Sequence, residues 1–290
     1  EAGKMRLAFE EVTGKDMNWF WNQWFYGSGN PVVKIDYKYD DANGKAMVLI
    51  EQTQKTDKVF RLAIAIDVYT AADKKRYNVW VENKVDTFMF DYSQKPDLIN
   101  VDADKVMLWV KTDNKSSENY VHQIKYAPNY LDRKEALDYF AKKGMPELAN
   151  GLTDKHAPLR RSTINKLESS KMAEDAKVIT AIEIIANNDK DRRTKGAAIS
   201  YLSKTSNAKY KALFDKNVND SSYSVAGAAL EGLIALNPDK AYELAKKYSN
   251  DAKGDLGDVV NEEIIKNGTE ADFDFVANRF DEMPLSQEKV

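Results

Sequence analysis

Two histidines make up the whole imidazole complement of this 290-residue chain, and it contains no cysteine. A hydrolytic zinc site needs three protein ligands and an open position, and its two histidines commonly lie four residues apart on one helical face. His122, in "YVHQIKY", and His156, in "TDKHAPLRR", belong to no His-Glu-x-x-His run and to no other ligand spacing. His122 reads as a packed or half-exposed ring among aromatics. His156 reads as a solvated loop histidine ahead of a helix. No Gly-x-Ser-x-Gly elbow offers a serine nucleophile, and zero cysteines exclude disulfides, thiolate catalysis and Cys-based zinc sites. The expectation is that the chain carries no catalytic, cofactor-binding or metal-ligating residue of its own.

Weaker signals resolve the same way. Gly27 to Asn30, "GSGN", lacks the preceding strand and following helix of a dinucleotide loop and reads as a helix stop. Asp40, Asp41, Asn43 and Gly44 suggest a calcium loop only faintly, because no Glu follows at the twelfth position; a hairpin turn accounts for them. Sequons at Asn114, Asn219 and Asn267 matter only in a eukaryotic secretory setting. The run Lys190 to Lys195, "KDRRTK", reads as the solvated start of a helix rather than an anion site. A net charge of -3, from 43 basic and 46 acidic residues, provides no positive stripe for nucleic acid. No run of about 18 apolar residues could span a bilayer, and no signal peptide is visible. Absence of cysteine suits cytosol and periplasm equally, with a periplasmic or cell-envelope location preferred.

The elements that would position these residues fall into three parts. Met17 to Pro31, "MNWFWNQWFYGSGNP", predicts a helix with Asp16 as N-cap and Gly27, Gly29 and Pro31 as stop. Trp19, Phe20, Trp24 and Phe25 share one face, widened by Trp21 and Tyr26, more aromatic area than a terminal helix buries unaided. From Pro31 to about Lys111 the apolar period is two, predicting strands at Val32 to Asp40, Lys45 to Gln54, Phe60 to Tyr69, Arg76 to Glu82, Asp86 to Tyr92 and Val106 to Lys111. A short seventh lies at Leu98 to Val101, and Asn43-Gly44 and Asn83-Lys84 mark hairpins. About seven short strands without helices between them are the pattern of an immunoglobulin-like β-sandwich without its cysteines.

After the polar, linker-like Thr112 to Tyr120 the period becomes helical. A helix starts at Asp132, buries Leu137 and Phe140 and stops at Gly144. A repeat follows: Asp154, Leu159, Arg160, Ile164 and Leu167 recur as Asp189, Thr194, Lys195, Ile199 and Leu202, and as Asp220, Val225, Ala226, Leu230 and Leu233. A degraded fourth copy offers Asp255, Val260 and Ile265, giving intervals of 35, 31 and 35 residues. Each Asp is expected to cap a helix, and the pattern predicts a short HEAT-like α-solenoid.

In this order the parts resemble a known family. "LAFEEVTGKDMNWFWNQWFYGSGNPVVKIDYKYD", Leu7 to Asp40, is similar to the segment where the catalytic domain of aminopeptidase N-like zinc metallopeptidases ends and a β-sandwich begins. The residues that carry the likeness are Phe9, Thr13, Gly14 and Asp16, then Phe20, Gln23 and Trp24, then Gly29 and Pro31, with Asn30 where His is frequent. "IEQTQ", Ile50 to Gln54, resembles the family's second sandwich strand. "YAPNYLDRKEAL", Tyr126 to Leu137, resembles the start of the helical C-terminal domain of bacterial members.

The resemblance implies a zinc aminopeptidase whose chemistry lies upstream. Members bind zinc through His-Glu-x-x-His and a distal Glu, with the motif Glu as general base, and fix the substrate amine with Gly-x-Met-x-Asn. None of these runs occurs here. The expected domains are therefore residues 1–30, a helical remnant of the catalytic domain; 31–112, the sandwich; and 113–290, the helical repeats that wall the substrate chamber. Zinc, peptide substrates and the upstream catalytic domain are the expected cofactor and partners of the full-length protein. The alternatives are a stand-alone interaction scaffold and a family member that has lost its metal.

Overall fold

The period-two segments form seven strands: β1 (Val32–Asp40), β2 (Lys45–Gln52), β3 (Leu62–Thr70), β4 (Asp73–Val81), β5 (Val85–Asp91), β6 (Leu98–Val101) and β7 (Val110–Asp113). The computed structural model describes residues 2–250 and 252–282. Its contacts divide the chain into two compact units, Glu1–Ala136 and Leu137–Val290. Together they give a mixed α and β architecture, with all strands among the described residues in the first unit.

Four strands form one sheet in the order β5-β2-β1-β7, and three form a second in the order β4-β3-β6. Every pairing is antiparallel except β1 with β7. The alternation does its physical work here: Ala46, Val48 and Ile50 of β2 point inward while Lys45, Met47 and Leu49 do not. Ile35, Val48 and Ile50 of one sheet meet Leu62, Ile66, Val81 and Ile99 of the other in a single core. Gln52 ends β2 inside that core. Its amide donates to the carbonyls of Phe60 and Asn83 and accepts from the Phe60 N–H and the Gln54 side chain. Gln54 in turn bonds the Lys58 carbonyl and the Val32 N–H. The "IEQTQ" segment thus supplies two amides that satisfy loop backbone, which a buried loop must find somewhere.

Three strand expectations change. Residues 106–109 lie outside β7, because the Asp102 carboxylate accepts the N–H groups of Val106 and Met107 and turns the chain there. Asn83-Lys84 does not join a hairpin: β4 and β5 belong to different sheets, and Asp86 takes the N–H groups of Glu82 and Asn83. The polar stretch 112–120 is ordered, since it contains the end of β7 and a reciprocal cap between Ser116 and Asn119 that starts α3 below. Asn43-Gly44 does turn β1 into β2, with Gly44 at φ 58° and Asn43 held by the Asp40 carboxylate.

Ahead of the strands lie α1 (Ala2–Thr13) and α2 (Asn18–Trp24), and after them α3 (Ser117–Tyr126), which packs on β6. The helix α4 (Tyr130–Lys143) begins two residues before the expected Asp132. Asp132 is wholly buried; it accepts from Asn100 and the Asn129 N–H and pairs with Lys105 at 2.9 Å. On the same outer face of β3, Asp67 is buried between Arg76 and Lys74 at 2.7 and 2.6 Å.

The second unit contains the rest of α4, a 3-10 stretch at Pro146–Thr153, and α5 (Ala157–Glu168), α6 (Ala176–Asn188), α7 (Arg192–Ser203), α8 (Lys211–Asn217), α9 (Tyr223–Leu236), α10 (Ala241–Lys247), α11 (Gly254–Asn267) and α12 (Phe273–Glu282). The odd-numbered helices pack in series, α5 on α7, α7 on α9 and α9 on α11, while α6, α8 and α10 pack on α7, α9 and α11. The repeat positions Ile164, Leu167, Ile199, Leu202, Leu230 and Leu233 are all buried.

The repeat aspartates do not cap the helices themselves. Asp154, Asp189 and Asp220 accept the N–H groups of His156, Asp191 and Ser222, which are the N-cap residues. Two of these carboxylates also link repeats: Arg160 grips both oxygens of Asp189 through two bonds of 2.7 Å, and Arg192 reaches the second oxygen of Asp220 at 2.6 Å. The fourth copy is out of register. Ile265 is 65% exposed, whereas Ile264 is 2% exposed. The helix starts recur at 157, 192, 223 and 254, intervals of 35, 31 and 31, which place the fourth Asp at 251, outside the described residues.

Gly196 and Gly227, equivalent in this register, let successive helices touch. A Cβ on Gly227 would stand 2.7 Å from Asp255 C and Leu256 N, which are backbone atoms with nowhere to move. Gly227→Ala is therefore expected to destabilise by about 1–3 kcal/mol, read as a lowered thermal midpoint, whereas Gly3→Ala, with nothing within 4 Å, should stabilise by up to about 1 kcal/mol. Burial alone would push the Asp67 carboxyl up, yet Arg76 and Lys74 outweigh it and hold it below its ordinary 3.8. Its ion pairs consequently contribute stability above pH about 4 that is lost as pH falls through the depressed value. Asp67→Asn should cost about 1–3 kcal/mol at pH 7, with the gap from the parent closing on acid titration of stability.

Candidate functional site

The aromatic segment is positioned by a short helix and the turn before it. Asp16 does not cap α2; its carboxylate accepts the N–H and side chain of Asn18 at 2.8 Å, and Met17 is the N-cap. Glu10 of α1 accepts from Arg6 and from the Met17 N–H at 2.9 Å, fixing the bend between the helices. Gln23 then docks α2 on the sheet region like a strand partner, donating to the Arg61 carbonyl at 3.0 Å and accepting from the Arg61 N–H at 2.7 Å. Trp24 packs on Phe60 with centroids 5.8 Å apart, and Trp19 meets Trp80 edge-on at 5.5 Å under the Arg61 guanidinium.

Trp21, expected only to widen the aromatic face, is its most deeply buried member at 2% exposure. It stacks on Phe25 at 5.0 Å and contacts Phe9 and Phe20. Its indole N–H is buried without an acceptor, which costs about 1–3 kcal/mol. The outer side of this cluster is open. No residue of α1 is buried, and Met5, Leu7, Phe9 and Val12 are exposed, as are Phe25 and Tyr26. These exposed side chains form a contiguous apolar face around the buried indole.

The histidines are not brought into a catalytic arrangement. His122, on α3, is half-buried between Tyr69 and Tyr126, with centroids at 5.7 and 4.5 Å. Burial pushes its pKa down, opposed by Asp97 and a bond to the Ala71 backbone. Its Nε2 is enclosed and has no partner. It borders a cleft of about 990 Å³ that includes Tyr37, Tyr39 and Ser116, but the Ser116 side chain is committed to the α3 cap. His156 is the exposed N-cap residue of α5 in the other unit. Among the described residues no group of three or more His, Asp or Glu side chains is disposed to hold a metal ion. A zinc site built on either histidine does not fit these surroundings.

A buried ionic cluster escaped sequence reasoning. Lys115 and Asp113 pair at 2.8 Å with both heads inside, Tyr37 donates to Asp113 at 2.8 Å, and Lys111 bridges to Glu135 at 2.8 Å. Burial drives Lys115 down in pKa against the pull of Asp113, while Lys115 and Lys111 keep Asp113 low despite its own burial. All its groups are mutually satisfied, so the cluster anchors β7 to α4 rather than presenting a reactive group. The alternating charges of "VKTDNK" were the only visible trace of it.

No family model matches the chain, and no curated protein does. A solved structure does. Legionella pneumophila aminopeptidase A, in complex with aspartic acid, is similar to this chain with a TM-score of 0.58 and 16% identity. The likeness covers 95% of this chain and 39% of that one, so the chain spans well under half the length of the structure it matches. At that identity the likeness shows a shared fold. No helix among the described residues is long and apolar enough to cross a membrane.

Because Gln23 and Trp24 tie α2 to the sheet region whereas no residue of α1 is buried, the two should separate on truncation. Removing residues 1–14 is expected to leave the thermal midpoint of the first unit within a few degrees, whereas removing residues 1–26 should lower it sharply by stripping Gln23 and Trp24 from the sheets. Equal midpoints by calorimetry would refute the division.

Proposed function

We propose that this chain is the non-catalytic C-terminal region of a zinc-dependent aminopeptidase that removes N-terminal residues from peptides, serving as spacer and as wall of the substrate chamber. The observation that carries the reading is the fold match: nearly the whole chain superposes on a minor part of an aminopeptidase. The open apolar face of α1 and α2 supports it, and the upstream catalytic domain is the partner we assign to that face. An acceptor from that domain would satisfy the Trp21 N–H.

In this reading the first unit's two sheets form an immunoglobulin-like sandwich. The chain passes between sheets after β2, β4, β5 and β6, as Greek-key sandwiches do. The second unit is a HEAT-like solenoid, whose two layers are the odd and even helices in series. Zinc and the general base would come from residues outside this chain, since its own histidines do not suit a metal.

The codons preceding Glu1 test the proposal directly. They are expected to encode His-Glu-x-x-His and a distal Glu, and a start codon adjoining Glu1 would favour the stand-alone scaffold instead. The purified chain with added zinc should release no nitroaniline from aminoacyl-nitroanilides. Activity that co-elutes with the chain and is abolished by His122→Ala would overturn the non-catalytic assignment.

A further inference from the structure

The second unit contains a cleft of about 820 Å³ along the faces of α5, α7, α9 and α11. It is built from equivalent repeat positions. Asn165, Ser200 and Glu231 each lie eleven residues after the repeat aspartates Asp154, Asp189 and Asp220, so successive helices place one polar side chain in a row. The row is continuous where it is bonded: Ser200 donates to Glu231 at 2.8 Å, leaving the second Glu231 oxygen unengaged by that bond. Gly196 and Gly227, also in register, bring successive helices into contact beneath the cleft, so the polar side chains of neighbouring helices stand close together along it.

The charges in the cleft are segregated. Arg161, Arg192 and Arg193 border its α5 and α7 side; Glu231 and Asp255 border its α9 and α11 side. Arg192 is paired with Asp220 and Arg161 with Asp191, whereas Arg193 is exposed and makes no ion pair among the described residues. Packed helices stand about 8–10 Å apart, and an extended chain advances about 3.3 Å per residue. One helix-to-helix step therefore spans three residues of an extended ligand.

We propose that this cleft binds an extended peptide segment carrying an acidic side chain and, three residues away, a basic one. The acidic group meets Arg193, the basic group meets Glu231 and Asp255, and the polar row bonds the peptide backbone between them. The KDRRTK segment, read from sequence as a merely solvated helix start, supplies the cation of the site. This assignment stands on the second unit alone and does not depend on the aminopeptidase reading.

Fluorescence anisotropy with the full chain tests it, using fluorescein-labelled Gly-Ser dodecapeptides that carry one Glu and one Lys three residues apart, in either order. One order should bind saturably, and the same peptide with Gln for both charges should bind at least about tenfold more weakly. Arg193→Glu should weaken the Glu/Lys peptide about tenfold or more and shift preference to a Lys/Lys peptide, with an unchanged thermal midpoint as the folding control. No saturable binding below about 1 mM, equal binding by Arg193→Glu, or equal binding of the uncharged peptide would each overturn the proposal. Tighter binding of a single-stranded oligonucleotide than of any peptide would overturn it as well, assigning the arginines to a polyanion.

Discussion

Asp132 has no exposed surface, and its carboxylate is shared among the Asn100 amide, the Lys105 ammonium and the Asn129 N–H. Each contact comes from a different segment: a strand, the turn after it, and the start of a helix. Removing two charges from water costs several kcal/mol per ion before their attraction is counted, so such a pair persists only where every remaining lone pair and proton is met. That requirement fixes where α4 can begin and how it meets the outer face of β6. Gln123 adds its amide to the Asp132 carbonyl from α3, extending the same constraint to the neighbouring helix.

The first unit repeats this solution at three other places where its chain leaves regular structure. Gln52 and Gln54 satisfy the loop between β2 and β3, Asp102 satisfies the turn after β6, and Gln23 satisfies the edge at Arg61. Apolar burial supplies the driving force, but it is non-directional. Directional polar contacts decide which loop lies where. The second unit is organised differently: its helices are registered by glycine at close crossings and by aspartates that bind the arginines of the preceding repeat. The Arg–Asp link occurs between the first and second and between the second and third repeats, from different offsets, and the row Asn165, Ser200, Glu231 falls at one common offset along the same helices.

Two open surfaces among the described residues differ in kind. The α1–α2 face is apolar and aromatic, with large exposed side chains around a buried indole whose N–H is unmet. It has the composition of an interface that a folded domain covers. The cleft of the helical unit is lined by polar side chains and segregated in charge, arginines on one side and Glu231 and Asp255 on the other. The histidines belong to neither surface: His122 packs between Tyr69 and Tyr126, and His156 occupies the N-cap position of α5 without a side-chain capping bond.

Much of the local structure was legible in the residues. Alternation placed β1, β2 and β6 closely because a half-buried strand must show one face to the core, and Gly144 at φ 65° ended α4 where only a residue without a Cβ sits easily. The repeat of aspartates and apolar offsets set the helical register through Leu233. Tertiary structure alone decided which sheet each strand joined, because periodicity states which side of a strand is apolar and not which partner covers it. It also decided that Trp21 rather than Trp24 is the more enclosed tryptophan of α2, that Ile264 rather than Ile265 faces inward, and that Lys115 could be buried at all. Each of those depends on groups distant in sequence arriving at the same place, and a linear pattern carries no distances between them.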